Sequence, residues 1–183
     1  HFDFTMAFDR EVPLLPVFVW FYILAFPFWA VGYLLAARRG KDMFYRFVAT
    51  DLTIHFICFI CFILIPTTNI RPEIPGNTLS EKILALVYSL DGGNSPSNLF
   101  PSIHCYVSWM CWKGVEGSEK VPKWYQRFSL VFAILIIIST QVLKQHYIVD
   151  AAAALLLVEF FWRFYQKGQR HKWVVHVFAH KKK

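Results

Sequence analysis

Six apolar stretches divide this chain, at positions 12–37, 44–65, 83–90, 103–112, 128–142 and 147–162. A membrane-spanning helix needs roughly 20 residues, so the first two are long enough to cross and 83–90 is not. The stretch 103–112 crosses only if its ends are buried in protein or water. Hydrophobic residues make up 56% of the 183 positions and aromatics 19%. A soluble domain of this length cannot hide so much apolar surface, so the bilayer acts as part of the solvent. The expected fold is therefore all-α: one domain over 1–183, a polytopic transmembrane bundle with five spans and a short non-spanning helix near 83–90. Pro13, Pro16 and Pro27 predict an interfacial start and one kink in the first span, both tolerated in membrane helices.

Nineteen Lys and Arg against twelve Asp and Glu give a net charge of +7. Such an excess on its own fits nucleic acid, but its placement does not. With the stretches laid alternately across a bilayer, Arg38, Arg39, Lys41, Arg46, Lys113, Lys120, Lys123, Arg127, Arg163, Lys167, Arg170, Lys172 and Lys181–Lys183 share one side. Only Arg10, Arg71, Lys82 and Lys144 fall on the other. By the positive-inside rule the crowded side is cytoplasmic. The expected partner is the membrane bilayer and not nucleic acid, in a multi-pass protein of the cell membrane whose C-terminus, with a basic tail over 167–183, is cytoplasmic. The first residue is His1, and 1–15 reads as an outside loop, so a further helix is expected before residue 1. Cys58, Cys61, Cys105 and Cys111 all lie in apolar stretches; Cys58-x-x-Cys61, with no second pair at a usable spacing, reads as buried free thiols. Trp20, Trp109, Trp112, Trp124 and Trp162 fall near the proposed interfaces and read as anchors.

On this topology three loops face outward: 67–82, 91–102 and 141–146. The second, "DGGNSPSNLFPSIHCYVSW", is irregular up to Pro101 and then opens an apolar helix. Ser102 is a preferred N-cap residue, and a helix N-terminus offers free N–H groups to an anion. His104 sits in the first turn. A capping serine beside a histidine needs no function, but a histidine at the edge of a membrane helix is costly, which favours one. In "STQVLKQHYIVD", His146 and Asp150 share a helix face. Asp150 can orient one ring nitrogen and leave the other free as a nucleophile; the plain alternative is a pair that stitches helices. Ser139 lies close enough to join the same pocket. The first loop contributes Arg71, a residue suited to bidentate contact with phosphate oxygens. Together these groups suit an oxyanion attacked by one histidine and protonated by the other. No Asp/Glu cluster able to hold Mg²⁺ accompanies them, so metal-free phosphoryl transfer is the expected chemistry, with no cofactor. Asp51 and His55 are also four apart, but lie toward the cytoplasmic half without a serine or arginine partner. Mutual pairing, or Asp51 with a cytoplasmic-side arginine, is the expectation there, and Glu159 is expected near the inner interface.

The order Arg71-Pro72, then Pro101-Ser102-Ile103-His104, then Ser139-x6-His146-x3-Asp150 resembles the type 2 phosphatidic acid phosphatase (PAP2) superfamily. The resemblance covers essentially the whole chain, including the Asp9-Arg10-Glu11-x-Pro13 loop. It implies that His146 attacks phosphorus to form a phosphohistidine, that Asp150 orients it, and that His104 protonates the leaving group. It also implies that Arg71, Ser102, Ser139 and backbone N–H near Ile103 bind the phosphoryl oxygens. Two positions depart from the pattern. The lysine expected seven residues before Arg71 is Leu64, and the arginine expected after Ser139 is Thr140. Lys144 can partly replace these cations, although snorkelling to lipid head groups accounts for it equally well.

The ten apolar residues of the "PSIH" helix rise only about 15 Å against a core about 30 Å thick. The catalytic floor is therefore expected below the outer surface, within reach of a lipid phosphate whose tail stays in the bilayer. The first reading is a metal-independent lipid phosphatase for phosphatidic acid, phosphatidylglycerol phosphate or polyprenyl pyrophosphate. The second is a transferase passing a phosphorylated head group to an alcohol, as in sphingolipid synthases of the superfamily. The third is a non-catalytic lipid-binding or scaffold protein.

Overall fold

The computed structural model describes residues 1–93 and 96–179, with the side chains of Phe178 and Ala179 outside the description. In chain order the helices are α1 (Ala7–Glu11), a 3₁₀ turn (Pro16–Phe18), α2 (Val19–Ala37), α3 (Lys41–Leu64) and α4 (Leu79–Leu90). There follow α5 (Ile103–Val115), α6 (Lys123–Val142), α7 (Ile148–Gln166) and α8 (Lys172–Ala179). The fold is all-α; among the described residues the only β pairing is two isolated bridges, Phe2 with Thr67 and Thr68 with Ser97.

Three helices are long and apolar enough to cross a membrane: Pro16–Ala37, Lys41–Leu64 and Lys123–Val142. This is two fewer than the five spans expected. The difference lies in α5, which has 13 residues and rises only about 20 Å, and in α7, which carries Asp150, Glu159 and Arg163 within its 19 residues. The short helix expected near 83–90 is α4, and residues 172–179 of the basic tail form α8. Helix α2 continues through Pro27.

Helix α5 is the hub. It packs on α2, α3, α6 and α7, and Cys105, Tyr106, Met110, Cys111 and Val115 along it are fully buried. Close approach to α2 requires Gly32, because a Cβ there would lie 2.6 Å from Cys111 Sγ. Small residues at crossing points are the usual means of bringing membrane helices together. Outward-facing Leu34, Phe56, Phe59, Ile63, Leu156 and Phe160 are exposed, the surface expected of helices that meet lipid. The tryptophans divide. Trp20 and Trp124 are exposed, as anchors should be. Trp162 is buried in the main core cluster, and Trp109 donates to Glu159 at 2.9 Å. For these two the anchoring expectation is corrected, since packing and a hydrogen bond inside the bundle occupy them. All four cysteines are free, with Cys61 half-buried.

Caps fix the helix starts that matter for the site. Thr78 and Glu81 form a reciprocal box at α4: Thr78 Oγ1 accepts from Glu81 N–H (3.2 Å) and Glu81 Oε2 from Thr78 N–H (3.0 Å). Ser102 caps α5 by accepting from Cys105 N–H at 3.3 Å. At α7 two acids act together. Asp150 accepts from Tyr147 N–H (2.8 Å), and Asp9, from the far end of the chain, accepts from Ile148 N–H (3.0 Å).

Candidate active site

The N-termini of α5 and α7, the C-terminus of α6 and the loops before and after α4 meet at one end of the bundle. His104, in the first turn of α5, stacks on Tyr22 of α2 with ring centroids 4.3 Å apart, and Phe26 and Trp29 close around it. His146 precedes α7, its ring centroid 6.2 Å from that of His104. Both histidines and Ile103 line a cavity of about 370 Å³. Tyr22, Phe26, Trp29 and Phe62 form its aromatic wall, and Asp91, Ser97 and Asn98 its polar one. The space can take a phosphoryl group against the histidines with an apolar tail beside it.

Behind His146 lies Asp150, buried, with Oδ2 3.6 Å from His146 Nδ1. That is longer than a hydrogen bond, and Nδ1 has no other partner among the described residues. Catalytic hydrogen bonds are often long in the absence of substrate and tighten when it binds. His104 Nε2 is likewise buried without a partner among the described residues.

None of the remaining predicted residues, Ser102, Ser139, Arg71 and Lys144, lines the cavity of the two histidines. Ser102 is fully buried at the α5 cap, and its N–H donates to Asp150 O at 3.3 Å, joining α5 to α7. Ser139 is fully buried and donates to Ile136 O at 2.6 Å. Arg71, whose side chain is fully buried, donates to Asp91 O (2.7 Å), Gly93 O (3.0 Å), Asp91 Oδ2 (2.5 Å) and Gln145 Oε1 (2.5 Å). It also stacks on Tyr88 with its guanidinium carbon 4.7 Å from the ring centroid. Arg71 and Lys144 line a separate hollow with Thr5, Asp9 and Arg10. Lys144 adopts a left-handed backbone, φ 52°, and its ammonium donates to Asp9 O (2.6 Å) and Val12 O (2.5 Å). Partial burial lowers its pKa from the ordinary lysine value. Its charge thus meets the C-terminal carbonyls of α1, where a cation is favourable. Tyr88 donates to Leu143 O at 2.7 Å, and burial pushes its phenol up to about 12, so it stays a donor at neutral pH.

Neither departure position faces the histidines. Leu64, at the end of α3, is 70% exposed on the outer surface, whereas Thr140 is fully buried. Thr140 Oγ1 donates to Ile137 O, and Thr140 O accepts from His146 N–H at 3.1 Å. An arginine in its place would have to displace packed neighbours.

Several residues of the site were not read from the sequence. Asp91 is the acid of the Asp-Gly-Gly turn, and its partnership with Arg71 joins positions 20 apart. Gln145 and Asn69 sit beside the motifs; Asn69 donates to Lys144 O at 2.9 Å. Asp91 and Gln145 were legible as polar neighbours of motif residues. The aromatic wall from α2 left no signal, since apolar aromatics are ordinary in a span. Asp51 and His55 form a different cluster. Tyr33 donates to Asp51 at 2.6 Å, His55 Nδ1 lies 3.5 Å from Asp51 Oδ1, and Tyr106 OH meets the His55 ring. Tyrosines from α2 and α5, and not an arginine, accompany that pair. Glu159 pairs with Lys113 (3.0 Å) and Arg163 (3.4 Å) at the opposite end of the bundle. Among the described residues, no group of three or more His, Cys, Asp or Glu is placed to hold a metal ion.

The long apolar helices place the chain among membrane-embedded helical proteins. A match to the PAP2 superfamily over residues 1–163 makes the assignment specific: the chain belongs to that superfamily, and with it to enzymes acting on phosphoric esters. No curated protein and no solved structure matches the chain.

Proposed function

We propose that this protein is a metal-independent lipid phosphate phosphatase working through a phosphohistidine. The observation that carries this reading is the pair of histidines, 6.2 Å apart between ring centroids and facing one cavity with an aromatic wall. His146 Nε2 attacks phosphorus as the bond from phosphorus to the lipid oxygen breaks, and His104 donates a proton to that oxygen. Water then attacks the phosphohistidine, His104 takes a proton from it, and the N–P bond breaks to release phosphate. Asp150, beside Nδ1, orients His146 and stabilises the charge the ring acquires. Ser102, Ser139, Arg71, Lys144 and the N–H groups around Ile103 form the anion-binding surroundings. Arg71 reaches the phosphate by exchanging the Asp91 carboxylate for a phosphoryl oxygen.

Helices α5 and α7 complete a five-span bundle, with Ser102 and Asp150 at their N-terminal ends buried in protein. The histidine end faces outward and the C-terminus lies in the cytoplasm, following the charge asymmetry. Phosphatidic acid, phosphatidylglycerol phosphate and polyprenyl pyrophosphate fit the cavity's combination of apolar wall and oxyanion groups. A second reading is transfer to an alcohol. Asp91 favours it, since a carboxylate lining the cavity can accept a hydrogen bond from an acceptor hydroxyl.

The test is phosphate release from a panel of lipid phosphates in EDTA, by wild type and by His146→Ala. Release by wild type and none by the variant is expected. Release surviving in the variant removes His146 as nucleophile, and release only with added Mg²⁺ removes the metal-free mechanism. Head-group exchange that requires a polyol or second lipid replaces the phosphatase with the transferase. Inertness toward every donor and acceptor favours a lipid-binding scaffold.

A further inference from the structure

At the end of α7 away from the histidines, Arg163, Lys167 and Arg170 surround a hollow of about 370 Å³ with Glu159, Leu156 and Phe160 at its edge. All three cations are exposed. Leu156 and Phe160 also line a second, almost wholly apolar hollow of about 400 Å³ that continues along α7 past Ala153 and Leu157, with Ile57 of α3 opposite. The two share those walls, so they form one groove with a cationic mouth and an apolar floor. From Arg163 to Ala153 is ten residues, or about 15 Å of helix rise, which is half the hydrocarbon thickness of a bilayer.

Cations near a helix C-terminus often serve only to satisfy its last carbonyls. Here that role is already filled. Arg46 of α3 donates to Tyr165 O (2.8 Å) and Gln166 O (2.7 Å). Arg163 reaches Glu159 at 3.4 Å, but Glu159 is also engaged by Lys113 and Trp109. Among the described residues Lys167 and Arg170 have no ion-pair partner, and Arg170 lies over the Phe164 ring at 4.2 Å. The corner behind them is fixed, since Gly168 turns the chain with φ 65° and His171 Nε2 pairs with Asp42 at 2.9 Å. Three cations against one shared carboxylate, at the mouth of a lipid-facing apolar groove, are complementary to one kind of neighbour.

We propose that this groove binds one anionic phospholipid of the surrounding bilayer, with its head group at Arg163, Lys167 and Arg170 and an acyl chain along Leu156, Phe160 and Ala153. This lipid is not the substrate. Asp150 and Arg163 are 13 residues apart on one helix, about 20 Å, so its phosphate sits in the leaflet opposite the histidines.

Native mass spectrometry of the full chain, released from detergent with phosphatidylglycerol or phosphatidylcholine added, tests this. Wild type is expected to retain one phosphatidylglycerol with at least about tenfold preference over phosphatidylcholine. His146→Ala should keep that preference, which separates the groove from the histidine site. Lys167→Gln combined with Arg170→Gln should abolish it. Ala153→Trp, which fills the floor but leaves the charges, should lower retention of both lipids. Lys120→Gln combined with Lys123→Gln, on the same end but outside the groove, should change nothing. Equal retention of the two lipids by wild type overturns the proposal, as does an unchanged preference in the Lys167/Arg170 variant. Loss of preference in His146→Ala, or displacement of the lipid by millimolar inorganic phosphate, also overturns it.

Discussion

His104 and His146 divide the proposed chemistry, and single substitutions separate their roles. His104→Ala is expected to lower turnover by about 10²- to 10⁴-fold, the range for loss of a positioned general acid. A leaving group that needs no proton, such as p-nitrophenol in a phosphate ester, should restore the first step but not the hydrolysis of the phosphohistidine, so a burst of p-nitrophenol should precede slow turnover. His146→Ala should not be rescued in this way, because the nucleophile itself is gone. Tyr88→Phe belongs to stability and not to chemistry. It removes the bond to Leu143 O beneath the Lys144 turn and should lower unfolding free energy by about 1–2 kcal/mol, read by thermal denaturation in detergent. The spacing of His146 and Asp150 pointed to their proximity but not to its cause. The two do not share a helix face, because His146 stands ahead of α7, and Asp150 comes beside the ring as it reaches back to Tyr147 N–H. The occupation of Arg71 by Asp91 and Gln145 was not legible, because those contacts join positions 20 and 74 residues apart. Lys144 was read as a phosphate cation or a snorkelling side chain. Its contacts with Asp9 O and Val12 O depend on a left-handed turn that nothing in its own composition announces.

Among the elements, α5 carries the closest packing. Gly32→Ala places a methyl group against Cys111 Sγ, and overpacking of this kind should cost about 1–3 kcal/mol. Pairing it with Cys111→Ala, which removes the sulfur but leaves Cys111 Cβ 2.7 Å from the added methyl, should recover only part of the loss in the same thermal assay. The existence of α2, α3 and α6 was readable from apolar length, and α4 from its shortness. What apolar length could not supply was the central position of α5. That follows from its neighbours, as Cys105, Tyr106 and Met110 face α2, α3, α6 and α7 at once. Trp162 shows the same limit. Its position near a chain-end cluster of cations suggested an interface, but the side chain packs inward beside Val158.

Over the whole molecule, most of the cations gather at one end, and His104 and His146 lie at the other. The orientation inferred from this asymmetry has a direct check. In a background lacking the native cysteines, Glu73→Cys should react with an impermeant maleimide in intact cells. Lys120→Cys should react only after permeabilisation. Both side chains are exposed, so accessibility to the reagent depends on the side of the membrane; the reverse pattern would invert the assigned topology.

The staple between the N-terminal segment and the α6–α7 turn has a consequence in time. Asp9 binds Ile148 N–H and Lys144 binds Asp9 O, contacts that close loops of 139 and 135 residues. Asp9 is made 135 residues before the lysine that it holds. His104 is translated ahead of His146 and Asp150. A nascent chain ending before Lys144 has His104 and the residues of the aromatic wall, but neither His146 nor the partners of Asp9. The site is therefore complete only when the α6–α7 turn packs back onto the N-terminal segment.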